Sequence, residues 1–257
     1  MRTFIGVDLG GGKGKNTAVA RLEAEGDVIR VVDYGTGRES PWFDEPLIDY
    51  LRSFPEGIVG IDAPLTLPVC VRCTLPFCPT ARRCEVPIVS WFRARDVDWS
   101  PRKKPRYTPY TQRATEVILH EEHQILPRET LGQGMGPLTS RASHLCRALS
   151  DLFTLDKNLI EVYPKATISR LFGERTAARY KRSGATAQTR LEIWNGLPGL
   201  EFAPGAWRED GLNNDHKFDA VICAYTAWLW SQDKCLPPPN DLVASDGWIW
   251  IPKTTTV

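Results

Sequence analysis

Phe4-Ile5-Gly6-Val7-Asp8 and Ile58-Val59-Gly60-Ile61-Asp62 are two short apolar runs, and each ends in an aspartate. A continuous apolar run of this length, bounded by turn residues, reads as a buried strand. The strand fixes the backbone, and the terminal acid projects at the edge of the sheet. Between them, Thr17-Ala18-Val19-Ala20-Arg21-Leu22 and Val28-Ile29-Arg30-Val31-Val32-Asp33-Tyr34 read as two more strands. The turn Glu25-Gly26-Asp27 joins these two as an antiparallel hairpin. Phe43, Leu47, Ile48, Leu51 and Phe54 recur at helical spacing over 43–54, and Pro55 and Gly57 stop that helix. The order is β-β-β-α-β. A strand reached through a helix is normally a parallel neighbour, so Asp8 and Asp62 are expected at one sheet edge.

The chain continues as α/β. Helices are expected at 114–125, 140–153, 167–172, 189–194 and 215–231, with strands at 159–163 and 248–251. The region 132–137 reads as a loop, and the 254–257 tail as frayed. The helix at 215–231 opens with Asp215 and Asp219, one turn apart on one face, and Asp219 leads directly into an apolar run. Either acid is placed to join Asp8 and Asp62. Carboxylates gathered in this way repel one another and call for a divalent cation, magnesium or manganese. Glu161 stands inside an apolar strand, where an unpaired carboxylate is costly to bury, so it points either to solvent or into a site. Glu116 follows Arg113 by three residues and can pair with it on a helix. Lys165 and Lys217 are candidates for contact with phosphate oxygens.

The segments Gly6-Val7-Asp8, Gly60-Ile61-Asp62-Ala63-Pro64-Leu65, Arg113-Ala114-Thr115-Glu116, Ile160-Glu161-Val162-Tyr163-Pro164 and His216-Lys217-Phe218-Asp219-Ala220 span nearly the whole chain. Together with the β-β-β-α-β order they resemble the ribonuclease H-like fold. More narrowly, they resemble an uncharacterised family of predicted ribonuclease H-like nucleases, a DUF429-like domain of unknown function. The resemblance implies a mixed sheet flanked by helices and a metal-dependent nuclease acting on DNA or RNA. It implies metal-binding roles for Asp8, Asp62 and Asp219, with Glu116 and Glu161 in or beside the catalytic pocket.

Residues 66–113 interrupt this plan as a Pro- and Cys-rich basic insert in an otherwise single domain, 1–257. Such a segment is expected to be held together by something other than a large core. Cys70, Cys73, Cys78 and Cys84 give the spacing C-x2-C-x4-C-x5-C. Thiolates so spaced can close a tetrahedron around a structural zinc; an iron–sulfur cluster, disulfides or free thiols are the alternatives. Cys146 and Cys223 sit on apolar helical faces and read as core. Between 93 and 113, Arg93, Arg95, Arg102, Lys103, Lys104, Arg106 and Arg113 are interleaved with Trp99, Tyr107 and Tyr110. A basic groove with stacking platforms suits single-stranded nucleic acid. Trp91 and Phe92 are expected to anchor the insert to the body.

Two other function classes stay open. Gly10-Gly11-Gly12-Lys13-Gly14-Lys15 follows Asp8, an arrangement similar to the phosphate-binding hairpin of actin-like sugar kinases and ATPases. It lacks the Walker A spacing. A pure nucleic-acid-binding module would keep the basic stretch and the cysteines but no catalytic magnesium. With 42% hydrophobic and 25% charged residues the chain is an ordinary globular composition, and a net charge of +1 gives no global pull toward nucleic acid. No apolar run reaches membrane-spanning length. Met1-Arg2-Thr3-Phe4-Ile5 runs straight into a strand without a secretory pattern, so a cytoplasmic location is expected. In that reducing compartment, clustered cysteines favour metal over disulfides.

Overall fold

Arg2–Asp8 (β1), Ala18–Glu25 (β2) and Val28–Gly35 (β3) form an antiparallel meander, followed by helix Asp44–Arg52 (α1) and strand Ile58–Asp62 (β4). Helices Pro87–Arg95 (α2), Ala114–His123 (α3) and Gly136–Ala148 (α4) lead to strand Leu159–Val162 (β5). Then come Pro164–Phe172 (α5), Glu174–Arg179 (α6), Thr186–Gly196 (α7), strand Leu200–Phe202 (β6), Arg208–Asn213 (α8), Asp215–Ser231 (α9), Asp241–Asp246 (α10) and strand Ile249–Trp250 (β7). This computed structural model describes residues 1–12, 16–37, 41–96, 105–182, 184–206 and 208–254. Among them the strands make one seven-stranded sheet in the order β6-β3-β2-β1-β4-β5-β7. Only β2 runs against its neighbours; every other pairing is parallel. The architecture is therefore a mixed α/β sheet flanked by helices.

Alternation along the strands decides what each face packs against. Phe4, Ile58, Ile160 and Val162 point to one face and bury against α5, α7 and α9. Ile5, Val7, Val59, Ile61 and Leu159 point to the other and bury against α1 and α4. Gly6 and Gly60 belong to the α9 face and are register partners in the parallel β1–β4 pair. They are glycines for a steric reason. A Cβ on Gly6 would lie 1.9 Å from the Ala220 carbonyl oxygen, and one on Gly60 would lie 2.7 Å from that of Cys223. Helix α9 thus rests directly on the backbone of the two central strands. Asn214 caps it by accepting a hydrogen bond from the Lys217 N–H, at 3.1 Å.

Within the 66–113 insert, the part from α2 onward departs from the expectation of a segment without much core. Helix α2 buries Ile88 and Phe92 against Ala114, Val117 and Ile118 of α3 and against Val243 and Trp248. The proline-rich spacing conceals this helix, because Pro87 sits in its first turn, where a proline costs no hydrogen bond. Phe92 is the buried anchor, and Trp91 packs edge-on against it. The same effect hides the start of α4: Gly136-Pro137 opens a helix and does not close a loop.

Candidate functional site

Asp8 and Asp62 are register partners at the carboxyl ends of β1 and β4. Both share the face of Gly6 and Gly60, two residues earlier, and so both point toward α9. Asp219 lies one helical turn before Cys223, the residue seated over Gly6 and Gly60, and this brings it to the same edge. His216, three residues before Asp219, contacts Asp8 Oδ2 through Nδ1 at 2.7 Å. The close approach of α9 at two glycines therefore assembles the cluster. Ligand sites in open α/β sheets form at this carboxyl edge.

The electrostatics of the cluster are those of crowded acid. Asp219 is 0% exposed, and the Lys181 ammonium meets its carboxylate. Burial pushes its carboxyl up to about 7, with Asp8 adding to the rise and Lys181 opposing it. Lys181 Nζ lies 2.5 Å from Asp219 Oδ2 and 3.9 Å from Asp215 Oδ2. The first contact is a close ion pair. Burial, then the charges of Asp8 and Asp219, holds Asp62 well above the usual carboxylate range. Burial works against the Lys181 ammonium, but Asp219, with Asp62 and Asp8, outweighs it and raises its pKa. The Asp8 contact raises His216.

Glu161 and Glu116 form a second buried layer around Arg113. By the pleat, Glu161 belongs to the opposite sheet face, with Leu159 and Ile61. Arg113 Nη1 and Nη2 donate to its two oxygens at 2.7 and 2.6 Å, and the Leu65 N–H adds a third bond at 2.9 Å. Glu116 takes Arg113 Nε at 3.0 Å and the Thr130 hydroxyl. Burial raises the Glu116 pKa against the pull of Arg113. The structure therefore brings Asp8, Asp62 and Asp219 together, sets Glu161 on the opposite sheet face but in the wall of the same cavity, and keeps Glu116 behind Arg113.

A cavity of about 670 Å³ opens over this edge. Its wall includes Asp8, Asp62, Glu161 and Tyr163, and it carries the cations Arg128, Lys165, Lys181 and Arg182. Lys217 lies elsewhere, 3.2 Å from Asp210. Lys181, Arg128 and Arg182 escaped the sequence reading because nothing in their local pattern separates them from solvated surface cations. His216 stood in a recognisable segment, and its spacing from Asp219 was the available signal.

Several sequence-derived roles change. Tyr107 is not a stacking platform: it is 3% exposed, and its hydroxyl donates to Glu121 at 2.8 Å. Arg93 is spent on the Ala81 and Cys84 carbonyls, and Arg95 stacks on Trp91 and pairs with Glu121. Tyr110 is 53% exposed. Trp99, Arg102, Lys103 and Lys104 lie outside the described residues, as do Lys13 and Lys15 of the glycine loop and the end of the tail. Cys70, Cys73, Cys78 and Cys84 are free thiols around one cavity of about 460 Å³. Among the described residues no group of three or more His, Cys, Asp or Glu side chains is drawn into a ready metal-binding set. Nor is any described helix long and apolar enough to cross a membrane.

Comparison with curated proteins gives no match, and neither does comparison with solved structures. A family model described as a protein of unknown function (DUF429) matches residues 6–243, and the chain belongs to that family.

Proposed function

We propose that the chain is a divalent-metal-dependent hydrolase of phosphodiester bonds in nucleic acid, built on a ribonuclease H-like sheet. The central run β3-β2-β1-β4-β5, with β2 alone reversed, supports the fold assignment. The observation that carries the activity is the convergence of three acids on one edge, one of them fully buried, with mutual charge raising Asp62. Carboxylates crowded at one buried edge fit a divalent cation. Asp8, Asp62 and Asp219 would hold magnesium or manganese. A divalent cation there supplies Lewis-acid polarisation of a phosphoryl oxygen and a water of lowered pKa.

The chain's own groups do the remainder. His216 Nδ1 fixes Asp8 Oδ2 and so sets which carboxylate oxygen is free. Arg113 neutralises Glu161 and keeps its charge out of the cavity. Arg128, Lys165 and Arg182 line the cavity and receive phosphate oxygens. Lys181 balances Asp219 and lines the same cavity, where its ammonium would also be within the wall that meets a substrate phosphate. The described part of the basic stretch contributes little free charge, so nucleic acid is held chiefly by this cavity wall.

The test is cleavage of labelled single- and double-stranded DNA and RNA by wild type and Asp62→Asn, with magnesium, manganese or chelator, and an ATP arm alongside. Cleavage lost in both the variant and the chelator is expected. ATP turnover without polynucleotide cleavage, or salt-sensitive binding without turnover, would contradict the proposal.

A further inference from the structure

Between Asp62 and Pro87 the chain has neither helix nor strand. It exposes Val71, Leu75 and Phe77, the last at 80%, so this stretch buries little apolar surface of its own. A segment with so little core requires a cross-link to hold one conformation. Four of the seven cysteines lie in it, and all four line one cavity. Cys84 is buried and Cys70 half-buried, so two thiols are fixed in place. Cys73 and Cys78 are exposed on the same cavity.

We propose that Cys70, Cys73, Cys78 and Cys84 close around one structural zinc ion, with no position left for water. Ligation by four thiolates is a zinc set, and the C-x2-C pair provides the compact knuckle that starts it. Closure brings each sulfur to about 2.3 Å from the metal and releases the thiol protons.

The cage is tied to the rest of the molecule at both ends. Arg93 Nη1 holds the carbonyls of Ala81 and Cys84 at 2.7 and 2.8 Å. Inside the knuckle, Arg72 Nη2 donates to Asp246 Oδ1 at 2.6 Å, and Asp246 Oδ2 accepts the Ala114 N–H at 2.8 Å. Ala114 opens α3 directly after Arg113, the residue that holds Glu161. Zinc in the knuckle therefore steadies the start of α3 and, through it, the second layer of the acid site. This assignment stands independently of the acid cluster's chemistry.

The experiment uses the full chain, without a metal-affinity tag, purified from zinc-supplemented medium and passed over a chelator. Elemental analysis should find about one zinc per chain, with four thiols shielded from a thiol reagent until the metal is extracted. Cys73→Ser and Cys78→Ser should lose the zinc, whereas Cys146→Ser should keep it. Because a cysteine variant can fail by misfolding, cobalt is also exchanged into wild type, where a tetrahedral cobalt–thiolate spectrum is expected. Arg82 and Arg83 are exposed, and removing zinc should speed tryptic cleavage after them by loosening the loop that carries them. Folded protein with no zinc and four reactive thiols, a disulfide among these cysteines, or an iron-containing brown protein would each overturn the assignment.

Discussion

Asp219 is the residue on which the site's energetics turn. A carboxyl held up to about 7 when folded, against 3.8 ordinarily, binds a proton more tightly in the folded chain. Stability then falls as pH rises from about 3.8 to about 7, because the unfolded state loses its proton first. His216, also raised, acts in the same direction: its contribution is full below its unfolded pKa and fades as pH climbs through the folded one. Thermal melts in chelator should show this as a falling midpoint, with a flatter slope for Asp219→Asn. Adding manganese at pH 7 should restore the wild-type midpoint. Lys181→Met should cost about 1–2 kcal/mol in chelator, the loss being limited because Lys181 is partly exposed and Asp219 then keeps its proton. Arg113→Met is harsher. It leaves Glu161 and Glu116 buried without their cation, and about 3–5 kcal/mol of destabilisation is expected in denaturant melts.

At the scale of elements, the contact of α9 with β1 and β4 decides whether the acids meet. Gly60→Ala places a Cβ 2.7 Å from a backbone oxygen, and about 1–3 kcal/mol of destabilisation is expected from denaturant unfolding. Gly6→Ala, at 1.9 Å, should be the worse of the two and push α9 off the sheet. A Gly60→Ala protein as stable as wild type would contradict the packing. Helix α9 was legible because its apolar run is long and its acids open it, and its bounds agree with the 215–231 expectation. Strands β1, β2, β3 and β4 were legible through their continuous apolar runs and turn glycines. Helices α2, α6, α8 and α10 and strand β6 were not. They are short, and tertiary contacts fix them more than any periodicity of their own.

Over the whole molecule, the sheet order explains why residues far apart in sequence share one edge. The strand-tip acids announced themselves locally, and the three-residue spacing of Arg113 and Glu116 foretold their pairing. The opposed orientation of Glu161 was open to neither pattern, since it follows from the register of β5 against β4. Lys181 joins the cluster only because α6 and the turn after it fold over the α9 end, which no local signal records. The central claim is that Asp8, Asp62 and Asp219 together hold a divalent cation, and manganese binding followed by the loss of the free-ion paramagnetic resonance signal tests it most directly. Wild type should bind manganese saturably, with at least about tenfold weaker binding in Asp62→Asn and in Asp219→Asn, a loss of about 1.4 kcal/mol or more. Equal binding by wild type and both folded variants, or none by any of them, would contradict the account.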